Sequence, residues 1–83
     1  MLADRIRAYV DETYLAPARA RGDAAVTIRA GDVHRDMGLN ARLPAICAAL
    51  GSDMFEKQFR VQRTSVEGPL NGANCLLTFR LLA

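Results

Sequence analysis

Near the N-terminus, Leu2, Ile6, Val10 and Tyr14 recur at helical spacing, with Tyr9 and Thr13 beside them. Asp4, Arg5, Arg7, Asp11 and Glu12 fill the intervening positions and predict a solvated face, with Arg7 and Asp11 spaced as an ion pair one turn apart. Pro17 has no backbone N–H, and its ring crowds the carbonyl four residues back. The helix is therefore expected to end or kink near Leu15, with Ala18 to Arg21 as an added turn that Gly22-Asp23 stops. The pattern then changes period. Val26-Thr27-Ile28-Arg29 is short, β-branched and alternating, which predicts a strand that must find a partner elsewhere in the chain. Val33 and Met37 sit one turn apart and predict a short helix ended by Gly38. Asn40 stands where an N-cap belongs, ahead of an apolar stripe of Leu43, Ile46, Cys47 and Leu50. Pro44 falls in the first turn of that helix, where its missing N–H costs little, and Gly51 closes it. Asp53 and Glu56 have capping-box spacing and suggest one further turn through Met54 and Phe55.

The last third reads as a hairpin. Arg60 to Val66 forms one strand and Cys75 to Leu81 the other, with Cys75, Leu77, Phe79 and Leu81 on one face and Thr78 and Arg80 on the opposite one. The connection from Glu67 to Asn74 is longer than a tight hairpin needs and holds two turn signals, Gly68-Pro69 and Asn71-Gly72.

This succession of helix, strand, helix, helix, strand, long loop, strand resembles the winged helix-turn-helix DNA-binding domain superfamily over essentially the whole chain. The resemblance implies an α+β fold, a three-helix bundle with a small antiparallel β-sheet in the order α-β-α-α-β-β. The strand at Val26–Arg29 would pair with the C-terminal hairpin. It also implies a function: the third helix lies in the major groove of double-stranded DNA, and the hairpin loop, the wing, touches the backbone or minor groove. Carried onto this sequence, the third helix runs from about Ala41 to Leu50, and its exposed face would be Arg42, Ala45, Ala48, Ala49 and then Ser52. Asn40, Arg42, Ala45 and Ser52 become the candidate readers, with Arg35, Asn71 and Asn74 as phosphate contacts. Two departures from the family pattern stand out. The middle of the face is alanine, and the loop from Gly68 to Asn74 carries no Lys or Arg. A smooth alanine face also suits docking of a protein partner or a second copy, so a protein-interaction or dimerisation module is the alternative.

Composition narrows the choice of chemistry. The chain has 83 residues, 51% of them hydrophobic and 24% charged, enough for one small packed domain. The net charge of +2 is only mildly basic, and Lys57 is the sole lysine among 11 cations. Arginine suits phosphate and guanine, but it also makes surface salt bridges, and a high-GC genome gives the same skew. No uncharged run approaches the ~18 apolar residues of a membrane span, and Asp4-Arg5 ends any resemblance to a signal peptide at once. Cys47 and Cys75 lie within apolar patterns and read as reduced core residues of an intracellular, cytoplasmic protein. One histidine and no Cys-x-x-Cys exclude a structural zinc motif. His34 is flanked two residues away by Asp32 and Asp36, a spacing that does not make a dyad on a helix. The two aspartates are one turn apart, as in a decorated helix N-terminus or, alternatively, a weak chelate. Phosphate loops and nucleophile motifs are missing too, so no enzyme, cofactor or small-molecule substrate is expected.

Overall fold

The computed structural model describes residues 1–83. The N-terminal helix does not stop at Leu15. It runs as α1 (Leu2–Val10), a wider π-helical turn (Asp11–Leu15) and α2 (Ala16–Arg21). In the π-turn the Ala16 N–H reaches back to the Asp11 carbonyl, five residues away. Widening the helix just before Pro17 relieves the ring's crowding of the preceding turn, so the proline is absorbed without ending the helix. Gly22, at φ +80°, then ends it in the left-handed conformation.

β1 (Ala25–Arg29) leads directly into α3 (Ala30–Asp36), and α4 (Leu43–Leu50) and α5 (Asp53–Phe59) follow. The chain closes with β2 (Val61–Glu67) and β3 (Leu76–Leu81). The three strands form one antiparallel sheet in the order β1-β3-β2, so β1 finds its partner in the last strand. Val26 stands opposite Phe79 and Ile28 opposite Leu77. Thr64 is the extra residue in a bulge between Arg63 and Ser65, and its hydroxyl donates to the Thr78 carbonyl.

Several local expectations shift by a residue or more. Asn40 is not the N-cap of α4; Arg42 is, after Ala41 has turned the chain at φ +56°. Ser52 caps α5, its Oγ accepting from the Phe55 N–H, and α5 runs two turns where the Asp53–Glu56 pattern suggested one. Arg60 is no strand residue but the left-handed C-cap of α5, at φ +55°.

The core lies between the helices and the inner sheet face. Ile6, Val10, Leu15, Ile28, Val33, Ile46, Leu50, Phe55 and Leu77 are among its fully enclosed members. Phe55 packs edge-on against Phe79 at 5.2 Å between ring centres, fastening α5 to β3. Arginines tie the periphery. Arg19 donates to the carbonyls of Phe59, Arg60 and Leu82 at 2.6–2.9 Å, which joins the end of α2 to the end of α5 and the C-terminal strand. Arg63 donates to the Gly51 carbonyl at 2.7 Å, and its own N–H is accepted by Glu56.

Candidate nucleic-acid interface

The turn between α3 and α4 is built from two hydrogen bonds that close α3. The Gly38 N–H donates to Arg35 O and the Leu39 N–H to His34 O, a Schellman arrangement that needs the left-handed Gly38, at φ +66°. His34 then holds the head of α4. Its Nε2 accepts the Arg42 N–H at 3.2 Å. This leaves the half-buried His34 occupied with backbone structure. Leu39 and Leu43 tuck against the core on either side of the turn.

The orientation of α4 differs from the expectation. Its enclosed residues are Ile46, Ala49 and Leu50, so the buried face centres on Ile46 rather than between Leu43 and Leu50, the middle of the expected stripe of Leu43, Ile46, Cys47 and Leu50. Ala49, expected outside, is 2% exposed and packs in the core. The face is rotated by roughly half of the ~100° step between helical residues. Pro44 and Ala48 therefore look into solvent, with Cys47 and Ala45 half-buried on the two flanks. Alanine caused the misreading, because it fits a core or a surface equally well and gives the hydrophobic pattern no phase.

The proposed readers separate accordingly. Asn40 and Arg42 are exposed at the head of α4, and no carboxylate lies within ion-pair distance of Arg42. Ala45 is half-buried against the core. Ser52 is not available as a reader. Its hydroxyl donates to Ala49 O at 2.9 Å, accepts the Phe55 N–H at 3.3 Å and accepts Arg7 Nη2 at 3.4 Å. Arg35 is exposed but lies between two acids, 3.4 Å from Asp32 and 3.2 Å from Asp36. Asp36 also accepts from the Tyr9 hydroxyl at 3.1 Å, which links α1 to α3. Asp32 and Asp36 are thus spent on Arg29, Arg35 and Tyr9, and neither they nor any other acids group with His34 or cysteine as a metal cluster.

The β2–β3 loop, residues 68–75, is fastened to the start of α3. The Gly31 N–H donates to Ala73 O and the Ala30 N–H to Cys75 O, both at 2.9 Å. A side chain at position 31 would come within 2.7 Å of the Ala73 carbonyl, so the close approach requires glycine. Asn74, expected to hold phosphate, accepts Arg29 Nη2 at 2.8 Å, while Nη1 of the same guanidinium binds Asp32. Sequence reasoning placed Arg29 only as a cation on a strand; its contact with Asn74 crosses 45 residues and leaves no local signal. Farther out, Leu70 is 76% exposed, and Asn71 is exposed with a left-handed backbone, φ +62°.

One run of contacts, Asn74–Arg29–Asp32–Arg35 with His34–Arg42 beside it, joins the loop root, α3 and the head of α4. Its charges are Arg29, Arg35 and Arg42 against Asp32 and Asp36, a small positive excess. Burial raises the pKa of the Cys47 thiol, with neighbouring Cys75 adding to the effect and the Asn71 N–H opposing it. Burial likewise raises the Tyr14 phenol, with Tyr9, Asp36 and Asp32 adding to it and Arg35 opposing. No helix is long and apolar enough to cross a membrane. Comparison with protein-family models, with curated proteins and with solved structures finds no match.

Proposed function

We propose that this chain is a winged-helix module that binds double-stranded DNA, chiefly through the phosphate backbone, in a regulatory or DNA-targeting role without catalysis. The observation that carries the reading is the run of contacts from Asn74 of the β2–β3 loop through Arg29 and Asp32 to Arg35, with the exposed Arg42 at the head of α4 held by His34 of the same α3. The pairing of β1 with β3, beyond the hairpin partner β2, supports the winged-helix architecture. Arg42 and Asn40 are the primary contacts, Arg35 and Asn71 the secondary ones, and Arg29 replaces its own hydrogen-bond partner Asn74. Ser52 drops out of the set, and Ala45 stands at its margin. Pro44 and Ala48 offer no hydrogen bond to a base edge, so discrimination between sequences is expected to be small.

Titrating a fluorescent duplex at several salt concentrations tests the reading. Two or three neutralised phosphates give a slope of log affinity against log salt of about −2 to −3. Arg42→Ala should weaken binding and reduce that slope by about 1. No duplex binding at low salt, where the phosphate contribution is greatest, overturns it.

A docking module for protein is the second reading, favoured by the apolar Pro44 and Ala48 and by the exposed Leu70 at the loop tip. Leu70→Ser separates the two. It should weaken an apolar protein contact or self-association and leave duplex affinity unchanged.

A further inference from the structure

We propose that the pocket formed by the end of α5, the start of β2 and residues Leu82 and Ala83 binds a small amphipathic carboxylate, an apolar chain with one charged head. The pocket has a volume of about 370 Å³, within the ~300–1,000 Å³ typical of small-molecule sites. Lys57, Arg60, Val61, Gln62 and Leu82 line it, together with Glu56 and Ala83. Val61 is 2% exposed and belongs to the core, so it offers an apolar surface that cannot move away. Leu82 adds apolar surface that is open to solvent. Arg19 fastens the surround by donating to the carbonyls of Phe59, Arg60 and Leu82, and the Leu82 N–H donates to Arg60 O at 2.9 Å. These bonds exist without a ligand, so binding has little ordering to impose.

Charge selects the ligand. Most arginine side chains of this protein are engaged with a carboxylate, an amide, a hydroxyl or a carbonyl. The Lys57 and Arg60 side chains make neither a hydrogen bond nor an ion pair, yet both line this pocket. Arg60 also occupies a left-handed helix cap, φ +55°, where glycine is the favoured residue. Its guanidinium offsets none of that backbone cost by a bond within the protein. The one acid of the lining, Glu56, is already engaged, its Oε2 accepting the Arg63 N–H at 2.9 Å. Gln62 accepts Arg80 Nη2 at 2.6 Å through Oε1, which leaves its amide NH₂ as a further donor. The lining thus presents donors to a carboxylate and apolar surface to its chain. A bare ion would leave Val61 and Leu82 uncovered, and an uncharged chain would leave both cations without a partner. None of these residues belongs to the set assigned to DNA, so the proposal does not rest on that reading.

The test records amide nitrogen–proton correlation spectra of the full chain titrated with sodium octanoate, sodium acetate or octanol at about pH 7, where the carboxylates are ionised. Octanoate should shift the amides of Lys57 to Gln62, Leu82 and Ala83, and the shifts should saturate with a Kd of about a millimolar. Acetate, which lacks the chain, and octanol, which lacks the charge, should each bind at least about tenfold more weakly. Lys57→Gln combined with Arg60→Gly should weaken octanoate at least about tenfold and leave octanol unchanged. Both side chains are exposed and glycine suits the left-handed cap, so the double variant keeps its fold, which its own spectrum checks. Shifts that do not saturate or that scatter away from the pocket overturn the proposal. So does octanol binding as tightly as octanoate, or a folded double variant with native affinity for octanoate.

Discussion

Arg7 is 9% exposed, and each of its side-chain nitrogens meets an acceptor: Nε the Ala49 carbonyl at 3.3 Å, Nη1 Asp4 at 3.4 Å, Nη2 the Ser52 hydroxyl at 3.4 Å. The expected ion pair with Asp11 does not form, because the guanidinium turns inward to the C-terminal end of α4, where carbonyls lack helical partners. Arg19 and Arg63 act the same way on the carbonyls of Phe59, Arg60, Leu82 and Gly51. The planar fork of arginine reaches several carbonyls at once, which a lysine ammonium does less well. Part of the arginine excess is thus spent on holding helix ends together and is unavailable to phosphate. Arg7→Ala should cost about 2–3 kcal/mol through lost stem packing and unpaired acceptors, whereas Arg7→Met keeps the packing and should cost about half as much. Urea unfolding midpoints check both values.

At the scale of elements, Pro17 and α4 show two different limits of pattern reading. A proline inside a regular helix costs ~3 kcal/mol, so its replacement would ordinarily be strongly stabilising. Here the π-turn from Asp11 to Leu15 has already widened the helix ahead of it. Pro17→Ala should therefore change stability by less than about 1 kcal/mol, read by urea titration; a gain near ~3 kcal/mol would mean that the turn is strained. The sequence marks the proline but not the turn, because a π-turn depends on whether the residues on both sides of it, here Val10 and Leu15 against Ala18, can all stay enclosed. In α4 the existence and the ends of the helix were legible from Pro44 and Gly51. Its rotation was not, since Ala45, Ala48 and Ala49 carry equal hydrophobicity and only packing against α1 and α3 makes them unequal. The short strand Ala25–Arg29 is the opposite case: too short to stand alone, it required a partner, and the C-terminal hairpin that the family resemblance pointed to supplies one in β3.

The molecule as a whole should weaken in alkali. The folded state keeps protons on Tyr14 and Cys47 that the unfolded chain releases, since burial raises both groups. Stability from this source is complete below about pH 8, where both groups are protonated in either state, and is lost as pH rises through the ordinary thiol and phenol ranges, about 8.5 and 10. Unfolding midpoints measured from neutral to about pH 10.5 should fall with rising pH, and Tyr14→Phe should flatten the upper part of the decline. A flat profile would mean that both groups titrate alike in the two states.

Most of the order of elements, the apolar face of β3 and the glycine stops could be read from the sequence, because each depends on neighbours within a turn or a strand; α5, absent from the expected α-β-α-α-β-β order, was marked only as one further turn. The candidate site was legible only in part. Asn40, Arg42, Arg35 and Asn71 are exposed as expected, while Ser52 and Asn74 have partners the linear pattern does not reveal. Those partners, together with the inward turn of Arg7 and the phase of α4, were decided by tertiary structure. Each is a contact between residues far apart in the chain, and the need to enclose apolar surface and satisfy carbonyls at helix ends selects one such set of contacts from many that local patterning permits.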